Sequence, residues 1–448
     1  MVDVVVVGGG AAGAAVFGEL IGRADAGCVH WVTGQGRPGR GVAYSTGEDH
    51  HLLNVRAAGM GLFDGPGSVF ARHPAAGDAE PHQFVPRSRY GDYVQARLAE
   101  RSCAARQAGR CFELHAATAV DAWRDGGRWR VRLEGGATLE ADEVVLATGA
   151  LEPRPLRNAS SEALASGAYV VDPWQTREPS APPGRVLVVG TGLTAVDVLL
   201  SAARRWPGAR LQAVSRHGRL PFIHREYPAP PWPGQAALNE ALLGTTRVRE
   251  RLRALRWAMD GAPDWQAIVD GMRPVMVPLW QGLPVAERRR FLRHLRWLWE
   301  AARHRMPPAS ANVLQRLQAE GRLRIAAARV LGVDGKGPLQ VRIRARGAEG
   351  ESSIEADLVV QATGLEMSPA TATGLLRQLL DRGLAAPDPL RLGLAGTEDG
   401  RLTGPGGGIQ PGLSAIGPLL RGTLWECTAM PEIRAAARAL AERLLPGD

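Results

Sequence analysis

One pattern occurs twice in this chain, and it narrows what the chain can fold into more than any other feature. Val4-Val5-Val6-Val7 runs into Gly8-Gly9-Gly10-Ala11-Ala12-Gly13, and Val186-Leu187-Val188-Val189 runs into Gly190-Thr191-Gly192-Leu193-Thr194-Ala195. Each predicts a buried strand, a glycine turn and the first turn of a helix. The next strand ends a similar distance on, near Val32-Thr33 and Val214-Ser215. The copies also close alike, at Leu139-Glu140-Ala141-Asp142-Glu143-Val144-Val145-Leu146-Ala147-Thr148-Gly149 and at Ile354-Glu355-Ala356-Asp357-Leu358-Val359-Val360-Gln361-Ala362-Thr363-Gly364. Strand-like stretches, Trp129 to Leu133 and Leu339 to Ile343, precede each closing strand. A single match would also fit an ordinary glycine turn. Two, each with an Ala-Thr-Gly end, predict an α/β chain with two Rossmann-like dinucleotide-binding domains.

The chemistry of such a turn follows from its geometry. The first glycine allows the tight turn, the second lets backbone approach a pyrophosphate, and the third position, Gly13 or Ala195, must be small for the helix to pack. Free N–H groups and the positive end of the helix dipole then face the phosphates. The end of the second strand usually carries an acid for the adenosine ribose. The first copy has Thr33-Gly34 there instead. Either Thr33 and backbone groups hold the ribose or FAD binds less tightly than usual, and Thr33 reads equally well as an ordinary strand-end residue. The second copy has Ser215-Arg216-His217. Serine and arginine suit a 2′-phosphate, hence NADPH; the alternative is an exposed loop arginine.

Composition excludes other classes. The net charge is +9, but Lys336 is the only lysine, and the densest basic stretches, around Arg247–Arg256 and Arg288–Arg296, interleave with Leu and Trp at helical spacing. They read as solvated helix faces and not as a nucleic-acid patch. Cys28, Cys103, Cys111 and Cys427 include no close-paired spacing. This argues against structural zinc and a thioredoxin-reductase type of redox disulfide, and fits a reducing cytoplasm. The apolar start, broken by three glycines, reads as strand, turn and helix and not as an anchor, and no membrane span is expected. No Ser/His/Asp, metal-ligand or paired-carboxylate arrangement stands out.

Further blocks carry a family resemblance: Gly39-Arg40-Gly41-Val42-Ala43-Tyr44, His50-His51-Leu52-Leu53-Asn54-Val55, Phe84-Val85-Pro86-Arg87, Asp172-Pro173-Trp174, Ser215-Arg216-His217-Gly218, Arg303-His304-Arg305, Ala415-Ile416-Gly417-Pro418 and Trp425-Glu426. Together they resemble the bacterial FAD–NAD(P)-binding protein family, related to class B flavin monooxygenases and N-hydroxylating monooxygenases. The resemblance implies that Gly8, Gly10 and Gly13 line the FAD pyrophosphate, with Arg40 and Tyr44 close by. It puts Asn54 near the flavin ring, Thr148 and Gly149 beside FAD, and Gly417 near the flavin. Gly190, Gly192, Leu193, Thr194, Ser215 and Arg216, with Thr363 and Gly364, form the matching nicotinamide-side set. Cys427 stands where the family pattern leads one to expect Thr.

The implied organisation is discontinuous. Residues 1–160 and 366–448 form the FAD domain and 161–365 the nicotinamide domain, with a helical insertion at about 233–310. The insertion's Trp257, Trp265, Trp280, Trp297 and Trp299 are either helix-packing core or part of a substrate lid. The implied reaction is an NADPH- and FAD-dependent monooxygenation of a small metabolite at nitrogen, sulfur or carbonyl carbon, through a flavin C4a-hydroperoxide formed with oxygen. The alternatives are a flavin reductase or dehydrogenase without oxygen insertion, and a non-enzymatic binding protein. Candidate polar groups near the flavin are His51, Asn54, His224, Arg305 and Glu426. Structural roles stand beside these: satisfied histidines, an Arg305 ion pair within the insertion, and Glu426 capping the helix that begins near Met430.

Overall fold

The computed structural model describes residues 1–63, 69–175, 179 and 181–446. Its strands are β1 (Val2–Val7), β2 (Ala26–Val32), β3 (Cys111–His115), β4 (Ala119–Asp125), β5 (Arg128–Leu133), β6 (Thr138–Ala141), β7 (Glu143–Leu146), β8 (Tyr169–Val170), β9 (Arg185–Val189), β10 (Arg210–Ser215), β11 (Leu323–Asp334), β12 (Leu339–Ala345), β13 (Ser352–Ala356), β14 (Leu358–Gln361), β15 (Arg401–Thr403) and β16 (Ile409–Ala415). Among the described residues they form three sheets, ordered β15-β16-β7-β1-β2-β3, β13-β12-β11-β10-β9-β14-β8 and β4-β5-β6.

The first sheet is parallel from β16 to β3, and its C-terminal strands β15 and β16 extend a sheet begun at residue 2. The valines of β1 are buried on both faces, as a parallel strand covered on both sides requires. Val4 and Val6 face the helices Ala11–Ile21, Arg87–Gln107 and Met430–Leu444. Val5 and Val7 face the small β4-β5-β6 sheet, against Ala122, Trp129 and Val131. Each buried valine contributes about 1.5–3 kcal/mol.

The second sheet repeats the plan. β9 lies between β10 and β14 as β1 lies between β2 and β7, all parallel. The repeated Glu-Ala-Asp has a physical reason. Ala141 and Ala356 are buried, and each following aspartate reaches the start of its central strand. Asp142 Oδ2 accepts Asp3 N at 2.9 Å, and Asp357 Oδ2 accepts Arg185 N at 2.8 Å. The copies differ in one respect. β4-β5-β6 is a separate sheet, whereas β11 pairs with β10 and then bends on into β12 and β13.

Residues 235–303 form six α-helices: Gln235–Leu243, Val248–Gly261, Trp265–Gly271, Met276–Gln281, Val285–His294 and Arg296–Arg303. Their core of Leu238, Leu242, Ile268, Leu279 and Trp280 closes on Trp425, which brings the insertion against the C-terminal segment of the first sheet's half. Trp280 stacks on Trp425 at 4.8 Å and donates Nε1–H to Gly422 O at 2.8 Å. Trp299 donates to Glu426 Oε1 at 2.9 Å, Trp297 stacks on His217 at 4.3 Å, and Trp257 is exposed. Packing thus accounts for Trp280 and Trp299.

Cys28 and Cys111 form a disulfide. The parallel register of β2 and β3 sets them opposite each other. The cysteines therefore do not read as spacing alone suggested: this pair is 83 residues apart and meets only across strands. No helix among the described residues is long and apolar enough to cross a membrane.

Candidate dinucleotide sites

The two glycine turns are built the same way. Gly8 has φ +129° and donates its N–H to Val32 O at 2.8 Å; a Cβ there would lie 2.2 Å from Ala147 O. Gly13 is small because a Cβ would strike Gly8 O at 1.9 Å. Gly190 has φ +130° and donates to Val214 O at 2.8 Å, and its Cβ would meet Ala362 O at 2.0 Å. These glycines are demanded by the chain itself.

Gly10 and Gly192 are different. Both have negative φ and cap their helices, Ala11–Ile21 and Leu193–Arg205, with no side-chain hydrogen bond. The first intrahelical bonds are Ala14 N to Gly10 O and Val196 N to Gly192 O, both 3.0 Å, so the earlier N–H groups point outward. A Cβ on Gly10 would meet nothing nearer than Gly41 Cα at 3.7 Å, and one on Gly192 nothing within 4 Å. Bare backbone facing open space at a helix N-terminus fits a pyrophosphate.

Two cavities flank the first turn. One, of about 620 Å³, is lined by Gly9, Gly10, Thr33, Arg37, Gly41 and His51, and reaches Ser201 and Trp206 of the second half. The other, of about 560 Å³, is lined by Gly8, Thr33, Gly34, Thr118 and Thr148. They share Gly9 and Thr33, so together they offer an elongated trough over the turn. Thr33 stands at its centre, with its N–H on His115 O at 3.0 Å and its hydroxyl on His115 O at 3.3 Å and Gly34 O at 3.1 Å. Thr148 is exposed, and Gly149, at φ +78°, opens on free space. Gly417, at φ +76°, faces the first helical turn at Ala12.

Two expected residues lie elsewhere. Arg40 is buried, and its guanidinium bonds Gln95 Oε1 at 3.0 Å and pairs with Asp92 on helix Arg87–Gln107. The Tyr44 ring packs edge-on against Tyr90 of the same helix at 4.7 Å. Their side chains support the loop from behind, while its backbone at Gly41 faces the trough. Arg37, three residues earlier, lines the trough instead. In the loop's sequence the two arginines look alike; the helix carrying Asp92 and Gln95 sorts them.

In the second half, Ser215 Oγ accepts from Thr191 Oγ1 at 2.8 Å and from Gly218 N at 3.0 Å, which shapes the turn after β10. Arg216 is exposed beside it. Leu193 and Thr194 form the first helical turn and are half-buried. Thr363 and Gly364 are exposed at the end of β14, with Thr363 Oγ1 accepting from Gln361 Nε2 at 3.2 Å.

The candidate catalytic groups divide between two places. His51 lies on the seam between the halves, with Nδ1 on Thr46 Oγ1 at 2.7 Å and Nε2 on Ser201 Oγ at 2.8 Å. Burial lowers its pKa to about 4, so it is a neutral imidazole between two hydroxyls. His224 Nε2 meets Asn54 O at 3.1 Å, and burial lowers its pKa to about 3. Arg305 is fully buried, pairs with Asp270 of the insertion, and lies 5.7 Å over Trp265. Its charge also lowers the pKa of His224. Glu426 does not cap the helix at Met430, whose N-cap Ala429 has no side-chain bond. It turns to the insertion, accepting from Trp299 and facing Arg303 Nε at 3.6 Å. Cys427 donates to Gly417 O at 3.3 Å, and burial pushes its thiol up to about 12.

The sequence pattern assigned no role to Arg87, which follows Phe84-Val85-Pro86, or to Asp197, two residues after Ala195. They form a buried ion pair across the seam at 3.0 Å. Both lie on helices whose neighbours had separate readings, so only the fold shows that they meet.

This architecture is that of a two-dinucleotide-binding-domain flavoprotein. Residues 5–151 match the FAD-NAD(P)-binding family, which bears out the resemblance drawn from the motifs over that third of the chain. No curated protein matches in sequence. Solved structures with this fold include the reduced form of ornithine hydroxylase from Pseudomonas aeruginosa (TM-score 0.64, 16% identity, covering 100% of this chain and 99% of that one). Others are the ornithine N-hydroxylase of Kutzneria sp. 744 (0.65, 15%, 99% of each) and the bacillithiol disulfide reductase of Bacillus cereus (0.55, 14%, 99% of each).

Proposed function

We propose that the chain is an FAD- and NADPH-dependent monooxygenase of a small metabolite. The observation that carries this reading is the pair of open helix N-termini at Gly10 and Gly192, each reached through an obligatory glycine turn, in one chain. When bound, FAD would accept a hydride from the nicotinamide and pass electrons to oxygen for transfer to an amine nitrogen, a thioether or a carbonyl. The chain's part is positioning. Gly10, Gly41 and the N–H groups of Ala11 to Gly13 cradle the pyrophosphate, Thr33 and the backbone beside it hold the ribose, and Asn54 and Gly417 border the ring. Ser215 and Arg216 receive the second adenosine with its 2′-phosphate.

The cysteines favour oxygen transfer over disulfide reduction. Among the described residues, Cys427 is a buried thiol held protonated, Cys103 is exposed on helix Arg87–Gln107, Cys28 and Cys111 pair across β2 and β3 at a separation of 83 residues and not as a close-spaced motif, and the glycine turn carries no cysteine. Oxygen uptake, NADPH consumption and peroxide release, measured together against a panel of amines, thioethers and ketones, test the reading. A compound that speeds NADPH consumption while suppressing peroxide supports it. Stoichiometric peroxide with every compound replaces it with a reductase or oxidase, and protein that takes up no flavin points to a binding protein.

A further inference from the structure

At the outer edge of the first sheet, on β2 and β3 just before the strand ends that reach the trough, two imidazoles and a carboxylate converge. Residues 28, 30 and 32 of β2 share a face with residues 111, 113 and 115 of β3, because successive side chains alternate and the register pairs His30 with Glu113 and Val32 with His115. His30 Nδ1 lies 3.1 Å from His115 Nε2, and Glu113 Oε2 lies 3.5 Å from the first and 3.6 Å from the second. These three atoms are the one cluster of possible metal ligands among the described residues.

We infer that His30, Glu113 and His115 bind a divalent first-row transition ion of the zinc class. The triangle has the size such an ion needs. Ligand atoms about 2.0–2.1 Å from a tetrahedral zinc stand about 3.3–3.4 Å apart, and the three edges here straddle that value. The donor set of two imidazoles and a carboxylate suits zinc and its neighbours in the series, and disfavours calcium or magnesium, which prefer oxygen. Charge agrees. In a chain with 54 lysines and arginines, the ion pairs of Glu113 among the described residues are with these two imidazoles and with no arginine. Both histidines are largely buried, at 16% and 19% side-chain exposure, while Glu113 is open to water and leaves the fourth position accessible.

The site has a structural consequence. β3 is the edge strand, tied to β2 by its ladder and by the Cys28–Cys111 disulfide two residues earlier. An ion between His30 and His115 clamps the other end of that pair. His115 O is the acceptor for Thr33, which lines the trough, so the clamp holds the strand end where an acid usually stands.

The test uses tag-free full-length protein, stripped with a chelator and titrated with Zn²⁺ and with Co²⁺, followed by calorimetry, cobalt d–d absorption and thermal melting. The expected result is one equivalent bound, a tetrahedral cobalt spectrum, and a melting temperature raised by zinc. His115→Ala should abolish all three. Glu113→Gln should weaken binding by more than about 10-fold, the lower bound for losing even an outer-shell partner. The control is the far-ultraviolet circular dichroism and cooperative melting of the metal-free variants, which should match the metal-free wild type, so a lost metal site is distinguishable from a lost fold. Absence of stoichiometric binding to the wild type, or binding that survives His115→Ala, overturns the inference.

Discussion

Gly8 and Gly190, 182 residues apart, hold one backbone conformation: φ is +129° in the first and +130° in the second, and each donates to a valine carbonyl near the end of the neighbouring strand, Val32 O and Val214 O, at 2.8 Å. Each also presses against the alanine of its Ala-Thr-Gly end. The match shows why both copies keep Gly at the first position and Ala-Thr-Gly at the close, while Gly13 and Ala195 differ. The crossing of turn and closing strand leaves no room for a Cβ at the first position, whereas the third is fitted copy by copy: a Cβ on Gly13 would strike Gly8 O at 1.9 Å, while Ala195 is accommodated fully buried.

Gly8→Ala and Gly10→Ala should therefore behave differently. A Cβ on Gly8 meets backbone oxygen at a φ unsuited to alanine, and unfolding free energy should fall by about 3 kcal/mol or more. Gly10→Ala has ordinary φ and free space, so the apo protein should melt near the wild type but retain little FAD. Thermal melting with flavin absorbance separates the two, and full FAD content in Gly10→Ala would remove Gly10 from the site.

The Arg87–Asp197 pair should hold the two halves together. Arg87→Met leaves a buried carboxylate without its partner and should cost about 3–5 kcal/mol in urea unfolding at neutral pH. Burial already raises the Asp197 pKa to about 6, so the deficit should shrink on acidification as the carboxylate takes up a proton. Adding Asp197→Leu should restore most of the loss.

His51 gives the stability a pH dependence of defined sign. Its folded pKa, about 4, lies below the ordinary histidine value. Its contribution is complete above about pH 6.5 and is lost as pH falls toward 4, because the unfolded chain gains the proton first. His51→Gln should flatten the wild-type curve in that window by at most about 3 kcal/mol, measured by urea unfolding. Identical slopes would mean that the imidazole is charged in the folded protein.

Arg216 should set the nicotinamide preference. Arg216→Ala should raise KM for NADPH more than for NADH, by the equivalent of about 1–3 kcal/mol if it bonds the 2′-phosphate. Equal changes for the two cofactors would make it a surface arginine only.

The amino-acid sequence by itself determined the duplicated plan, since strand, glycine turn and helix are specified by neighbours within a dozen residues and by periodicity. It also marked Gly8, Gly10, Gly190 and Gly192 by their spacing after the strands, although what excludes a Cβ at Gly8 and Gly190 is the closing strand at Ala147 and Ala362. Only the tertiary structure decided which way side chains point and which distant residues meet. Arg37 and Arg40 were separated by a helix 50 residues on. Glu426 found Trp299 and Arg303 in the insertion instead of the next helix. Cys28 met Cys111, and His30 met Glu113 and His115, because parallel register places residues more than 80 apart side by side. Such pairings are set by which strand lies next to which, and that is settled by burying β1 and β2 under helices drawn from the whole chain.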